Sequence, residues 1–402
     1  MRYLLTRVTA ALLLFLSPAD ASASRNGIVH APPVARPLPE GREIGDVEFE
    51  CKEGASSRCR ISDFMRYARI CALLVVRSGK IRFEKYNYDP EICEDDKGEP
   101  NGPDRRYGIA SVTKSITSTL LGHAIATRYG ARTREQFERV LDRPIGDYVG
   151  ELRRGIPSAY ANVPLDNVLR MRSGVWWTEY GWHGFFSGAE LFRSKVREGL
   201  MESIPTFAHR FVFPSTAGQH FNYSALDAAV ASVTAENILD DRSLLQFMEK
   251  GLWASIGAEA DASWGVDKAG TAIGPCCLRA TVRDLARFGL LVLGEGRNGQ
   301  GKQVIPSAWF EIATKRLGEE DAIPDGNQSQ NAGCPLDYRY YWWLRQNRTD
   351  FTAVGRDGQF VHLYPESDTV IVQISDWKAW TNGDALECET FRAHDALEAA
   401  AQ

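Results

Sequence analysis

Strand-period patterning gathers toward the two ends of this chain, and that placement constrains the fold more than any single motif. Residues 71–76 (Cys-Ala-Leu-Leu-Val-Val), the segment Arg77-Ser78-Gly79-Lys80 and residues 81–86 carry the pattern of a β-hairpin closed by a tight glycine turn. Beyond Gly333 the alternating period returns over 338–344, 351–354, 360–364 and 369–375. From about 135 to 259, helical spacing and loops prevail instead. Strands so far apart in sequence share a core only if the chain returns to its starting sheet. The pattern therefore predicts an α/β (α+β) fold: an antiparallel sheet built from N- and C-terminal segments, flanked by helices, with an all-helical insertion over about 130–265.

The first residues carry Arg2 and Arg7, an apolar run over 8–16, and then the small residues of Ser17-Pro18-Ala19-Asp20-Ala21-Ser22-Ala23. That run is too short to span a bilayer, so residues 1–23 are predicted to be a secretory signal, with no stable membrane insertion after cleavage. Residues 24–50 include Ala31-Pro32-Pro33 and Pro37-Leu38-Pro39 and predict an extended Pro-rich leader; the folded domain is then expected over 51–402. The expected location is periplasmic or secreted.

Eight cysteines in an exported chain point to disulfides. Cys51 and Cys59 fit a short local loop, and Cys71 and Cys93 fit a bridge beside the hairpin; the pairing of Cys276, Cys277, Cys334 and Cys388 stays open. With no Cys-x-x-Cys pair or histidine cluster, no metal is expected. Gly294-Glu295-Gly296-Arg297-Asn298-Gly299 follows a helical pattern and precedes none, so it is a loop and no cofactor is expected. A net charge of −5 gives no reason to expect nucleic acid, and no protein partner can be inferred.

The chemistry concentrates at Tyr107-Gly108-Ile109-Ala110-Ser111-Val112-Thr113-Lys114. Ile116, Leu120, Leu121 and Ile125 follow at helical spacing, which puts Ser111 at or just inside the start of a helix running to about Arg128. Residues three apart share a helical face, so Lys114 lies beside the Ser111 hydroxyl where the free N–H groups and helix dipole favour developing negative charge. A buried amine can take a serine proton. A second copy, Ser375-Asp376-Trp377-Lys378, ends a strand pattern with no helix behind it. Two downstream segments complete the first copy. Tyr223 stands in a small-residue context just ahead of a helix, and its oxygen can relay a proton. The run Val354-Gly355-Arg356-Asp357-Gly358-Gln359-Phe360 is a glycine-flanked strand start, expected on an edge strand, whose backbone can approach a ligand and hold an oxyanion.

In this order the residues resemble the serine β-lactamase and penicillin-binding-protein superfamily, and within it the class C-like esterases and 6-aminohexanoate-dimer hydrolases. Framework segments over 168–180 and 280–289 support the likeness, which extends from about residue 70 to the C-terminus. The resemblance implies that Ser111 is acylated, that Lys114 and Tyr223 share general-base work, and that the backbones of Ser111 and Gln359 form the oxyanion hole. It implies substrate contacts at Tyr180, Trp177, Arg356, Asp357 and Gly358. Two departures stand out. Ala225 occupies the place where lactam-binding relatives usually carry an asparagine, and Arg356-Asp357-Gly358 replaces the usual Lys-Thr-Gly or its His/Lys variants. The expectation is an exported serine hydrolase that cleaves esters or small amides and turns over β-lactams weakly or not at all. The alternatives are a D-amino-acid peptidase or carboxypeptidase, and a non-catalytic ligand-binding module on the same fold.

Overall fold

The computed structural model describes residues 26–54, 57–89, 100–179, 188–240, 242–323, 334–377 and 383–402; the predicted signal segment, Cys93, Tyr180 and Lys378 lie outside them. Three short strands, β1 (Asn26–Val29), β2 (Glu48–Glu50) and β3 (Arg58–Arg60), precede α1 (Ile61–Tyr67). The expected hairpin is β4 (Ile70–Arg77) and β5 (Lys80–Tyr86), turned by Ser78 and Gly79, both at positive φ. A two-residue strand, β6 (Tyr107–Gly108), delivers the chain to α2 (Val112–Tyr129). The insertion follows as α3 (Arg134–Leu141), α4 (Leu165–Leu169), α5 (Gly188–Arg197), α6 (Ile204–Ala208), α7 (Ala225–Ile238), α8 (Leu244–Phe247) and α9 (Ala254–Ile256). The chain returns through β7 (Ala262–Gly265), β8 (Leu278–Ala280), α10 (Val282–Leu293) and α11 (Ser307–Ala313). It closes with β9 (Leu336–Arg339), β10 (Trp342–Arg345), β11 (Phe351–Gly355), β12 (Gln359–Tyr364), β13 (Thr369–Ser375) and α12 (Gly383–Ala401).

The main sheet has the order β5-β4-β13-β12-β11-β10-β9, antiparallel throughout. Its seam is β4 against β13, where the N-terminal hairpin meets the last strand of the chain. The near-continuous apolar runs of these two strands are explained by cover on both faces. Gly289 of α10 lies against Val361 and Val370 on one face, while Phe391 of α12 packs edge-on against Phe360 on the other. Between residues 130 and 261 the regular elements of the described residues are all helical, as the pattern requires.

Two expectations are corrected. The leader is extended but not detached: β1 pairs with β7, Val29 is fully buried, and the backbone N–H groups of Arg36, Gly41 and Ile44 bond to Gly257, Ile81 and Arg82. Ordered structure thus begins before Cys51. The stretch 338–344 is not one strand but two, β9 and β10, joined at Tyr340 and Tyr341 with φ of 44° and 71°. Such a turn normally carries Asn or Gly. Here the tertiary structure imposes it: both rings are buried, the Tyr340 hydroxyl donates to Asp166, and Ser115 on α2 donates to the Tyr341 carbonyl at 2.6 Å.

The predicted Cys51–Cys59 disulfide is present, and the undecided cysteines pair as Cys276–Cys277 and Cys334–Cys388. Cys71 is disulfide-bonded as well.

Candidate active site

Helix α2 runs between the sheet and the helical insertion, and every residue from Val112 to Ala126 except His123 is buried. Three of its buried hydroxyls are satisfied internally, while Thr113 Oγ1 and Ser118 Oγ have no hydrogen-bond partner among the described residues. Thr117 donates to Thr113 O and Gly274 O, Thr119 to Ser115 O, and Ser115 to Tyr341 O. Ser111 is the N-cap residue, as its spacing predicts, yet its side chain makes no capping bond and remains free for other partners. It follows Ala110, held at a φ of +46°, so the chain turns sharply from β6 into the helix and leaves Ser111 only partly buried. A β-substituted residue in the left-handed region costs of order 1 kcal/mol, and such positions concentrate at functional sites.

Lys114 is 2% exposed. Its Nζ donates to Ser111 Oγ at 2.9 Å and to Pro275 O at 3.1 Å, and it lies 4.7 Å from the centre of the Tyr223 ring. Burial pushes the amine down from its ordinary value to about 8, against the pull of the nearby Glu179 carboxylate. An amine with that pKa has a minor neutral fraction near physiological pH, far larger than an ordinary lysine's, and that fraction can accept a proton. Tyr223 is 7% exposed, stacks on Trp343 with ring centres 5.8 Å apart, and lies beside Ser111. Burial holds its phenol well above the ordinary tyrosine range, so it stays protonated and can act as a relay but not as an anion. Helix α2, the start of α7 and the segment before β8 thus bring serine, lysine and tyrosine together.

The third segment is placed differently from expectation. Arg356, Asp357 and Gly358 form the turn of the β11–β12 hairpin, and β12 is an interior strand between β11 and β13, not an edge. Gln359 pairs with Gly355, and its side-chain amide donates to Ser375 O at 2.9 Å. The backbone that abuts the serine loop is that of Gly355. A Cβ there would lie 2.7 Å from Ile109 O and 3.2 Å from Ala110 Cβ, so only glycine lets β11 come this close. Gly358, at a φ of +87°, instead faces Trp377 and Ser375. Arg356 is exposed and its Nε lies 3.4 Å from Asp357 Oδ2, so the carboxylate carries its own counter-charge.

Trp177 is also not where expected. It is 5% exposed, packed against Phe192 and Phe211, and is a core residue rather than a pocket wall. Its Nε1 donates to Glu179 Oε2 at 2.6 Å. No motif or spacing in the sequence marks Glu179, although it sits within the Trp176-Trp177-Thr178-Glu179 framework. The same carboxylate oxygen accepts the Ala225 N–H at 3.0 Å at the start of α7, and Asn222 donates to Trp177 O at 2.8 Å, so this loop is tied to both flanks of Tyr223.

Because Gly355 has no room for a methyl group, Gly355→Ala is expected to shift the Ile109–Ser111 backbone. A displacement of about 1 Å costs roughly 10²-fold in rate. Steady-state kinetics with circular dichroism should show kcat down by that order with the fold retained; an unchanged kcat would mean that β11 does not set the serine geometry.

The Beta-lactamase family profile matches residues 60–387. A 6-aminohexanoate-dimer hydrolase from Paenarthrobacter ureafaciens is 25% identical over 372 residues, covering 90% of this chain and 83% of the relative. Among solved structures, a proposed 6-aminohexanoate-dimer hydrolase from Bacillus anthracis superposes with a TM-score of 0.74 at 21% identity, covering 92% of this chain and 90% of that one. A class C beta-lactamase gives a TM-score of 0.56 at 15% identity, covering 84% and 94%. These structural likenesses establish the fold, and the profile spans most of the chain. The protein belongs to the Beta-lactamase family of serine hydrolases.

Proposed function

We propose that the protein hydrolyses linear esters or small amides through an acyl-enzyme on Ser111. The observation that carries this is the hydrogen bond of 2.9 Å between Ser111 Oγ and a fully buried lysine whose pKa is lowered to about 8. In the proposed first step Ser111 Oγ attacks the substrate carbonyl carbon while Lys114 Nζ takes the hydroxyl proton. The oxyanion is held by the Ser111 N–H at the start of α2 and by backbone at the Gly355–Arg356 end of β11. Collapse breaks the bond to the leaving amine or alcohol. The Tyr223 phenol supplies the proton to that group and regains one from Lys114. Water then attacks the ester, passes a proton back along the same relay, and the acid leaves with Ser111 regenerated.

A small linear amide is favoured by the relative's substrate and by the two sequence departures. Ala225 offers no side-chain amide to hold a lactam, and its N–H is already engaged by Glu179. The Arg356–Asp357 pair presents no unopposed cation for a lactam carboxylate. Export belongs to the same proposal; the leader-like residues 1–23 and the disulfides support it, and N-terminal sequencing of the mature protein tests it.

The decisive experiment treats the purified protein with a fluorophosphonate and maps the adduct, alongside a screen of p-nitrophenyl esters, short linear amides and nitrocefin. An adduct on Ser111 with ester or amide turnover is expected, and nitrocefin turnover is expected to be negligible. Absence of the adduct would favour a ligand-binding module, and rapid nitrocefin hydrolysis would refute the proposed substrate class. The pH profile follows from Lys114. Below about pH 8 the amine is protonated and cannot act as base, so kcat/KM should rise about tenfold per pH unit and level off above that value. A profile flat between pH 6 and 9 would exclude Lys114 as the base.

A further inference from the structure

The carbonyl that accepts the lysine proton belongs to Pro275, and the next two residues are the disulfide-bonded neighbours Cys276 and Cys277, whose Cα atoms are 3.8 Å apart. Closure of that bond makes a ring through the peptide group that joins the two residues. Both are partly exposed, whereas Cys51 and Cys59 are buried. The segment they close is wedged between the two helices of the site. Gly274 O accepts Thr117 Oγ1 of α2 at 2.9 Å, and a Cβ on Gly274 would lie 2.4 Å from Ala228 O of α7. Trp264 Nε1 donates to Ile273 O at 3.0 Å and to Cys276 O at 3.1 Å, and the Gly265 N–H donates to Cys277 O at 3.0 Å. Within this frame Cys277 is held at a φ of +77°, a conformation that costs a residue with a Cβ about 1–2 kcal/mol.

We propose that the Cys276–Cys277 disulfide is a redox-addressable clamp that fixes the Pro275 carbonyl against Lys114, so that opening it with a dithiol slows acylation of Ser111. The inference rests on the serine-hydrolase function proposed above. The exchange is conventional thiol chemistry. A thiolate of the dithiol attacks one sulfur of the pair, the Cys276–Cys277 bond breaks, and the displaced cysteine thiolate takes up a proton. The second thiol of the reductant then attacks the mixed disulfide and frees the other cysteine. The dithiol leaves as a cyclic disulfide, having given two electrons, and both cysteines end as thiols. Without the ring, the bonds from Trp264 and Gly265 to the Cys276 and Cys277 carbonyls remain, but Cys277 loses its covalent restraint in the left-handed region and the Pro275 carbonyl loses the clamp beside it. A carbonyl acceptor favours the ammonium form of a lysine, so its loss also makes Lys114 more acidic.

The experiment uses the full chain, oxidised or treated with graded dithiothreitol. It follows the rate of fluorophosphonate labelling at Ser111 against pH, while iodoacetamide alkylation and peptide mapping report which cysteines have opened. Alkylation at Cys276 and Cys277 should accompany labelling slowed roughly ten- to a hundredfold, with the rising limb moved to lower pH and recovery on reoxidation. The double variant Cys276→Ser, Cys277→Ser should label at the slow rate and ignore the reductant, which excludes the other disulfides as the cause. Labelling that is unchanged once the pair is alkylated overturns the proposal, as does a pair that never opens or a double variant that labels at the wild-type rate. If the double variant shows no cooperative melt, the wild-type titration decides alone. Failure of the oxidised protein to label at Ser111 overturns the active-site assignment and the clamp together, an outcome distinct from labelling that merely ignores redox state.

Discussion

Ser111→Ala is expected to lower kcat/KM for any ester or amide substrate by about 10⁵-fold or more, because the nucleophile and its partners act as a unit. The loss should be clean. Alanine at a helix N-cap ordinarily costs about 1 kcal/mol, but Ser111 makes no side-chain capping bond, so that cost does not arise here. Lys114 keeps Pro275 O as an acceptor when the hydroxyl is gone, and the partly exposed site admits water in its place. The variant should therefore melt close to wild type while losing both turnover and fluorophosphonate labelling. The other Ser-x-x-Lys copy cannot substitute for it. Ser375 is 4% exposed at the end of β13, and its hydroxyl is hydrogen-bonded to Gln373 Nε2 at 3.1 Å. Residual turnover within tenfold of wild type would rule out Ser111 as the nucleophile.

The features legible in the sequence are those that depend on local periodicity. Apolar spacing after Ser111 predicts α2 to within one residue of its observed end, because 3.6-residue repetition is intrinsic to the helix. The β4–β5 hairpin and the C-terminal strands follow from alternation and a glycine turn. What escaped depends on contacts between distant segments. No local signal marks a turn at Tyr340–Tyr341, since Asp166 and Ser115, far away in sequence, hold it. The Pro-rich leader contains no core of its own, and it is ordered only because β7 and Ile81 offer it partners.

The same division runs through the active site. Ser111 and Lys114 are one helical turn apart, so their contact was predictable. The identity of the strand backbone beside them was not, because the glycine pattern of 354–360 fits both Gly355 and Gln359, and only the hairpin register separates them. Glu179 was invisible for a different reason. Its relevance lies in reaching the Ala225 N–H across the insertion, a contact that no spacing encodes. Adjacent cysteines could have been a signal, but their position beside the lysine's carbonyl acceptor emerges only in three dimensions.

A buried lysine is costly, and Lys114→Met should reveal the cost and the function in one protein. Lowering the pKa from 10.5 to about 8 corresponds to about 3 kcal/mol of destabilisation at about 1.4 kcal/mol per unit. The sign follows from proton counts. Between about pH 8 and 10.5 the unfolded chain holds a proton on this lysine that the folded chain has lost, so wild-type stability rises with pH across that interval. Below pH 8 the full penalty applies. Methionine removes the penalty, but it leaves Pro275 O without its donor, a loss of about 1 kcal/mol that does not vary with pH. The variant should thus be about 2 kcal/mol more stable than wild type at pH 7 in urea unfolding, and slightly less stable by pH 10.5. Over the same range kcat/KM should fall about 10³-fold, and the rising limb near pH 8 should disappear. A variant that loses stability at pH 7 would mean the amine is held by more than these two hydrogen bonds. A variant that keeps its activity would mean another group takes the Ser111 proton. Gain of stability with loss of rate is the signature of a residue retained for its chemistry at the expense of the fold.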